Sequence, residues 1–345
     1  MIKNSFVAIG NSPSSGSTLL GDLLDSTTIG ICGPELNLLT NKHLYKNYSQ
    51  FQNNPVGFSQ SSAIYSAVNS VNQNRLYAYG MNVSELQSLA SQTGNAREFL
   101  DGFGYRYAVF RGNPEATWFE KTPQNIGIAR KFLETFPDKF FIHIVRNPVY
   151  IAESLLRRGF SPGIAVFAWL IEVANLYNFT SDRLLLVRYE ELVSNPWNIV
   201  SDLVNTICKK NIDPNTIKEN YESNEYRSAV SKKIKSWGVN QYGKIINANN
   251  RTPSPKTLGL FRSALDWKIS TVWANTYQLP EISYREAVEY YGYMEEVEKL
   301  IRDSHPAGVL STGISFRTHI LKKNVKELIF CHKFPKCIHS PVEEV

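Results

Sequence analysis

A turn of small, hydroxyl-bearing residues near the start of the chain has the composition of an anion-binding loop. It follows the apolar segment Phe6–Ile9 and precedes leucines that recur at helical spacing between residues 19 and 24. The sequence therefore predicts a buried strand, a tight turn and an amphipathic helix. The first N–H groups of such a helix have no partner and favour negative charge, while glycine and serine supply close approach and hydroxyl donors. The candidate ligands are Ser14, Ser15, Gly16, Ser17 and Thr18.

This loop does not have the pattern of a nucleoside-triphosphate site, which needs a fixed glycine spacing followed by a lysine. Gly10 and Gly16 are one residue too far apart for that pattern, and Ser17 stands where the lysine belongs. Because that lysine holds the β- and γ-phosphates, the sequence disfavours hydrolysis of a nucleoside triphosphate.

Two charged side chains come at the ends of further apolar segments. Glu35 lies just after Ile29–Cys32, and Lys121 ends the segment that begins at Trp118. Open α/β sheets bind ligands beyond the carboxyl ends of their strands, where a carboxylate can act as a base and a lysine can neutralise developing charge. Two simpler interpretations stay open. Pro34 opens a helix whose dipole attracts Glu35, and Lys121 is a solvated surface charge.

The segment Lys139–Val145 is the clearest strand candidate, because its nearly continuous apolar run is typical of a central parallel strand. Arg146 follows it directly, and Ser154 comes eight residues later, two turns into the predicted next helix. A guanidinium fork and a hydroxyl placed in this way can converge on one anion. Arg158 lies one turn beyond Ser154 and adds a further cation.

Several of these motifs resemble those of sulfotransferases, which transfer a sulfuryl group from 3′-phosphoadenosine-5′-phosphosulfate (PAPS). Residues Pro13–Leu19 resemble the 5′-phosphosulfate loop of that family, except that Ser14 replaces the usual lysine or arginine. The stretch Cys32–Glu35 resembles the Cys-Gly-x-Glu of the tyrosyl-protein branch. The stretch Lys121–Pro123 resembles a Lys-Thr-Pro motif of the tyrosyl-protein and bacterial types.

The resemblance covers roughly residues 5–245 and implies a fold and a cofactor. The fold is a three-layer α/β/α domain with a P-loop-like central parallel sheet and a helical C-terminal extension. The cofactor is PAPS, the product is 3′,5′-ADP, and no metal is required. The pair Arg146 and Ser154 is similar to the family's 3′-phosphate motif, in which Arg158 matches a further basic contact.

The resemblance also implies roles for individual residues. Glu35 matches the general base of the tyrosyl-protein branch, and Lys121 stabilises the transition state. Tyr189 follows the predicted buried strand Arg183–Val187 and matches a tyrosine near the adenine, although a half-buried packing role is the alternative. The cationic segment from Ser231 to Lys244 loosely matches one that folds over the nucleotide, although a solvated loop is the alternative.

Two other functional classes stay open. The first is a P-loop kinase or NTPase, against which the missing lysine argues. The second is a nucleotide-binding protein without catalysis, which the serine at position 14 supports. The acceptor is a small molecule, a carbohydrate or a peptide that carries a hydroxyl or an amine, and the sequence does not distinguish among them.

The composition excludes several classes of protein. The 345 residues are 43% apolar and 20% charged, which is ordinary for a globular protein. A net charge of +6 without a basic tract suits an anionic cofactor and argues against nucleic-acid binding. The longest mostly apolar stretch, residues 163–179, contains Glu172 and predicts a buried helix, not a membrane span. Four scattered cysteines and no visible signal peptide predict a cytoplasmic location.

We expect a sulfotransferase domain over residues 1–257 and a helical extension with a tail over residues 258–345, packed on the same domain. The tail contains a cluster of two cysteines and two histidines between Cys331 and His339. This cluster raises a zinc hypothesis, but its spacing matches no zinc finger. The sequence does not indicate an oligomeric state.

Overall fold

A five-stranded parallel sheet organises the part of the chain that the computed structural model describes, which is residues 6–57, 71–223, 245, 247–269, 271, 274–275 and 278–303. The strands are β1 Phe6–Asn11, β2 Gly30–Cys32, β3 Thr117–Lys121, β4 Phe141–Val145 and β5 Leu184–Arg188. Their order across the sheet is β2-β3-β1-β4-β5, and every pair is parallel. All carboxyl ends therefore lie along one edge.

The helices connect these strands in chain order. They are α1 Ser17–Asp25, α2 His43–Lys46, α3 Tyr48–Asn53, α4 Val83–Ser91, α5 Ala96–Phe110, α6 Ala129–Thr135, α7 Pro148–Arg157, α8 Pro162–Ala174, α9 Tyr189–Ser194, α10 Pro196–Cys208, α11 Pro214–Ser223, α12 Pro255–Ala264, α13 Tyr284–Tyr290 and α14 Met294–Asp303. Short 3-10 helices cover Gln73–Tyr79, Pro123–Ile128 and Ala248–Asn250.

Strand position explains the burial of each strand. The central strands β1, β3 and β4 are buried along their whole length, as their apolar sequences predict. Among the described strands β5 pairs with β4 alone, and Leu186 on it is 52% exposed. The prediction of a buried strand at Arg183–Val187 is therefore wrong about burial, because an apolar run does not show whether a strand lies at an edge.

Helices cover both faces of the sheet, as predicted. The connection from β1 to β2 runs in the opposite direction to the connection from β2 to β3. Right-handed crossovers then place α1 and α5 on opposite faces. On its face α1 packs against α10 and α11, whereas α5 packs on β3 and β1. The predicted α/β fold with a helix-flanked parallel sheet is confirmed.

The chain divides into two compact units. The first comprises Met1–Ser61, Val68–Val145 and Asn178–Asn247, and it contains the sheet. The second comprises Ser62–Ala67, Arg146–Tyr177 and Ala248–Val345. The predicted domain boundary at residue 257 stays a prediction.

The helix α8 forms the core of the second unit. It matches the predicted buried helix, and its residue Glu172 is buried. The rings of Phe167 and Trp267 stack at 4.1 Å between centroids, and Tyr284 Oη donates a 3.0 Å hydrogen bond to the carbonyl of Val166. Among the described residues, none of the helices combines the length and apolar character needed to cross a membrane.

A buried ion pair ties three elements of the first unit together. Asp25, the last residue of α1, accepts hydrogen bonds from Arg111 Nη1 at 2.8 Å and Nη2 at 3.2 Å. The same carboxylate accepts a 2.9 Å hydrogen bond from the backbone N–H of Cys32, at the end of β2. Arg111 caps α5, so this contact fixes the end of β2 between two helices.

We expect Arg111→Ala to lower the free energy of unfolding by about 3–5 kcal/mol, because it leaves the fully buried carboxylate of Asp25 without its charge partner. The matched control is Arg97→Ala, whose pair with Asp138 is about half exposed and should contribute about 0–1 kcal/mol. Urea denaturation of both variants measures the difference. Similar small losses in the two variants would contradict a structural role for Arg111.

Candidate active site

The loop after β1 has the backbone of an anion-binding turn. Ser14 and Gly16 both adopt left-handed conformations, with φ of 64° and 96°. A side chain at Gly16 would collide with Tyr189, since a Cβ there would lie 2.4 Å from Tyr189 Cδ2. The helix α1 begins at Ser17 without a side-chain cap and without an acidic residue in its first turn. Its N-terminal donors therefore face the loop with no competing carboxylate from that turn.

Buried hydroxyl groups in this loop fit an anionic ligand. Ser12 Oγ and Ser15 Oγ are buried, and neither has a hydrogen-bond partner among the described residues. Buried polar groups are almost always hydrogen-bonded, so these donors fit a ligand with oxygen acceptors. The loop itself carries no cationic side chain.

Glu35 and Lys121 meet at the carboxyl edge of the sheet. Lys121 ends β3 and lies opposite Ile9 of β1 in the register. Its Nζ lies 3.1 Å from Glu35 Oε1. Lys121 is only 1% exposed, whereas the Glu35 side chain is 37% exposed. The alternative interpretation of Lys121 as a solvated surface charge is therefore wrong.

A second cation holds the other carboxylate oxygen of Glu35. Arg75 Nη1 lies 3.5 Å from Oε2 and donates a 3.2 Å hydrogen bond to the Glu35 backbone carbonyl. Burial alone would raise the pKa of Glu35, but the charges of Lys121 and Arg75 outweigh it, so the pKa lies below its ordinary value. The carboxyl group is thus ionised at neutral pH and able to accept a proton.

The segment that carries Glu35 is not helical. Residues 33–38 form neither helix nor strand, so the predicted helix at Pro34 is wrong. The N–H groups of Leu36 and Asn37 donate to Thr122 Oγ1 at 3.2 and 3.1 Å, and Asn37 has a φ of 63°. These contacts keep the backbone in a non-helical conformation. Because there is no helix at Pro34, the alternative role of Glu35 as a helix-dipole charge is excluded.

Sequence analysis missed three contributors to this site. Arg75 lies in a segment without periodicity, and no local signal indicates it. The hydroxyl of Thr122 accepts hydrogen bonds from the backbone after Glu35. The same hydroxyl donates a 2.7 Å hydrogen bond to Glu120 Oε1. An acidic residue inside an otherwise apolar strand was the signal for Glu120.

The predicted 3′-phosphate residues belong to the second unit. Arg146 directly follows β4, and its Nε and Nη2 donate to Asn249 Oδ1 at 2.9 and 2.7 Å. Ser154 lies in α7 and is partly buried, and Arg158 follows that helix with its guanidinium 5.4 Å from the centre of the Phe160 ring. Their role as phosphate ligands stays a prediction.

The remaining predicted residues have different outcomes. Tyr189 is buried at the start of α9 with its ring against Gly16, and its proximity to an adenine stays a prediction. Ser231, Lys244 and the cluster between Cys331 and His339 lie outside the described residues. Within the described part of the chain, no group of three or more metal-ligating side chains comes together.

Sequence comparison supplies the family. The model of the sulfotransferase family matches residues 7–207, which is more than half of the chain. The chain belongs to the sulfotransferase family. That match includes the loop, Glu35, Lys121 and the Arg146 motif, so the sequence prediction of the family is confirmed. No curated protein matches the chain significantly.

Solved structures of sulfotransferases show a distant similarity to this chain. The sulfotransferase domain from the curacin biosynthetic pathway is 20% identical, with a TM-score of 0.43, over 63% of this chain and 78% of that one. The sulfotransferase domain from the olefin synthase of Synechococcus PCC 7002 is 16% identical, with a TM-score of 0.45, over 93% of this chain and 97% of that one. Family membership rests on the sequence match, not on these structures.

In this sulfotransferase, the pKa of Glu35 should depend on the buried ammonium. We expect Lys121→Met to raise that pKa, because the substitution keeps the side-chain volume and removes the nearer positive charge. Carbon-13 NMR of labelled glutamate, with the resonance assigned through Glu35→Gln, measures the shift. The control is Lys131→Met, whose exposed ammonium pairs with Glu134 on the surface. An unchanged Glu35 pKa in Lys121→Met would rule out the ion pair in solution.

Proposed function

We propose that this sulfotransferase transfers the sulfuryl group of PAPS to a hydroxyl or amine of an acceptor, with Glu35 as general base and Lys121 as transition-state stabiliser. Family membership supports sulfuryl transfer. The observation that carries the assignment of residues is the contact between a partly exposed carboxylate and a buried ammonium at the edge of the sheet. This edge is where open α/β sheets bind their ligands.

The residues of the first unit fit the sulfated end of the cofactor. When bound, PAPS would supply the activated sulfuryl group and a 3′,5′-ADP leaving group. The hydroxyls of Ser12 and Ser15 and the N-terminal N–H groups of α1 would donate to the 5′-phosphosulfate. The hydroxyls of Ser17 and Thr18 would be further donors, and the loop has left-handed conformations at Ser14 and Gly16, a feature of backbone turns that bind anions.

The other end of the cofactor carries the 3′-phosphate and the adenine. We assign the 3′-phosphate to Arg146, Ser154 and Arg158, because an arginine fork suits a phosphate and the sequence motif matches the family's. We assign the adenine to the neighbourhood of Tyr189. Ser231 and Lys244 complete the proposed cofactor ligands.

The charges of the site explain how the chain's residues would act. Glu35 is ionised, so it can remove a proton from an acceptor hydroxyl or amine. The ammonium of Lys121 can meet negative charge that develops on sulfuryl and bridging oxygens. Positioning and fixed charges of this kind can catalyse the transfer of a charged group without covalent participation by the protein, as in phosphoryl transfer. The proposed mechanism assigns no role to a metal.

The alternatives differ in the observations that favour them. A kinase or NTPase is disfavoured by the family match and by Ser17 at the lysine position. A protein that binds the nucleotide without catalysis is favoured by the serine at position 14. Under this proposal Lys121 answers that observation, because its buried ammonium would supply the cation that the loop lacks. The acceptor class and a cytoplasmic location stay predictions.

The cofactor assignment is tested by calorimetry with 3′,5′-ADP and 5′-AMP. We expect tighter binding of 3′,5′-ADP, and Arg146→Ala should weaken it by about 1.5–3 kcal/mol, the scale of a charge-assisted hydrogen bond. Arg183→Ala is a matched arginine control, since its guanidinium binds backbone carbonyls of the first unit, including that of Phe136. Equal affinity for the two nucleotides in the wild type would remove the 3′-phosphate assignment.

The catalytic assignment is tested by transfer of labelled sulfate from PAPS to a panel of acceptors under single-turnover conditions. Glu35→Gln keeps the shape and removes the base, so the rate should fall by about 10²–10⁴-fold with nearly unchanged affinity for 3′,5′-ADP. Lys121→Met should lower the rate by about 10²–10³-fold, comparable to the loss of one oxyanion donor.

The two outcomes that would overturn this assignment are distinct. A Glu35→Gln enzyme with the wild-type rate would place the base elsewhere, and His43 would be the next candidate. A Lys121→Met enzyme that loses only cofactor affinity would show that the ammonium acts in binding and not in the transition state.

A further inference from the structure

Side chains form hydrogen bonds with the backbone of four consecutive residues around Glu35. The carbonyl of Pro34 accepts a hydrogen bond from Tyr79 Oη, and the carbonyl of Glu35 accepts one from Arg75. The N–H groups of Leu36 and Asn37 both donate to Thr122 Oγ1. A segment without secondary structure is therefore fixed by contacts from distant parts of the sequence.

Thr122 is the central member of this set. Its side chain is fully buried, and its hydroxyl uses its whole hydrogen-bonding capacity of one donor and two acceptor sites. It accepts from two backbone N–H groups and donates to Glu120 Oε1 at 2.7 Å. A hydroxyl that accepts twice from the backbone must direct its proton to the carboxylate.

Each carboxylate oxygen of Glu120 accepts a hydrogen bond from a neighbouring side chain. Thr122 donates to Oε1, and Asn125 Nδ2 donates to Oε2. The same amide of Asn125 donates to the carbonyl of Ile9 at 3.0 Å, which fixes which end of the amide faces the carboxylate. Two donors aimed at two oxygens fit the ionised form of Glu120.

We propose that Thr122 and Glu120 are positioning residues that hold Glu35 beside Lys121, and that Glu120 must be ionised to do so. The proposal deepens and rests on the proposed function, in which Glu35 is the base. If Oε1 of Glu120 carried a proton, it would no longer accept the hydrogen bond from Thr122. The Thr122 hydroxyl would then lose either the acceptor for its own proton or one of the two backbone N–H groups that donate to it. The segment that carries Glu35 would then lose one of its contacts.

Burial is the main influence on the pKa of Glu120, and hydrogen bonds and neighbouring charges modify it. Burial raises the pKa of Glu120 to about 7, and the hydrogen bonds from Asn125 and Thr122 limit the rise. The positive charge of Lys121 lowers the pKa, while the negative charge of Glu35 raises it. The Tyr45 hydroxyl and the Cys32 thiol are the other titratable groups coupled to this carboxyl.

The first test compares Thr122, which directly follows β3, with Thr117, the first residue of that strand. Thr122→Val keeps the shape and removes the hydroxyl, so turnover should fall on the order of 10–100-fold through misplacement of the base, with unchanged affinity for 3′,5′-ADP. Thr122→Ser should restore turnover. Thr117→Val, at the amino end of the same strand, is the matched control and should leave turnover unchanged.

The second test is the pH profile of turnover. Protonation of Glu120 below about pH 7 should remove activity in the wild type, since the ionised form is required. Glu120→Gln can never carry the negative charge, so its turnover should be low at every pH and the change near pH 7 should be absent. A Glu120→Gln profile identical to that of the wild type would overturn the role of Glu120.

A third measurement does not depend on activity. Misplacement of Glu35 away from Lys121 should raise the Glu35 pKa in Thr122→Val, as seen by carbon-13 NMR. If the wild type transfers no sulfate, the proposed function fails, and this shift still decides whether Thr122 positions Glu35. A Thr122→Val protein with an unchanged Glu35 pKa, or with parallel losses of turnover and cofactor affinity, would overturn the positioning role.

Discussion

The ammonium of Lys121 imposes the main constraint on this site, because it is buried at the end of a central strand. Removing an ammonium from water costs several kcal/mol unless a partner compensates for it. That partner is Glu35, and reaching it requires the chain after β2 to run beside the end of β3. The ion pair of Asp25 with Arg111 and the hydrogen bonds of Thr122 fix that path. Much of the unusual backbone near Glu35 thus serves one buried charge.

The same contacts separate two roles within Glu35: its backbone is fixed by hydrogen bonds, and its side chain is partly open to solvent. Glu35 is partly exposed, so its carboxylate can meet an acceptor, whereas its backbone is held by Tyr79, Arg75 and Thr122. The carboxylate itself contacts Lys121 and Arg75, one at each oxygen, and both charges lower its pKa. The left-handed conformation of Asn37 is the cost of this arrangement, on the order of 1 kcal/mol for a residue of this type.

The positions of Glu35 just beyond β2 and of Lys121 at the end of β3 could be predicted, because apolar runs are local signals. The contacts between them could not. Arg75 reaches Glu35 from a segment without periodicity, and Thr122 entered the sequence analysis only as part of the Lys-Thr-Pro motif. The helix predicted at Pro34 is wrong because Asn37 adopts a left-handed conformation and its N–H donates to the Thr122 hydroxyl instead of to a helical carbonyl. The predicted burial of β5 is wrong because edge position is set by topology, not by composition.

Under the proposed function, one cation would serve two partners in turn. The loop carries no basic side chain, and the buried ammonium of Lys121 lies 3.1 Å from the proposed base. While it pairs with Glu35, it lowers the pKa of that carboxyl and weakens it as a base. Negative charge on a sulfuryl group would compete for the same ammonium, and any weakening of the pair would make Glu35 more basic. Arg75 would keep the carboxylate in place during this exchange, because it binds both the other oxygen and the backbone. A single lysine would thereby couple the arrival of the donor to the strength of the base.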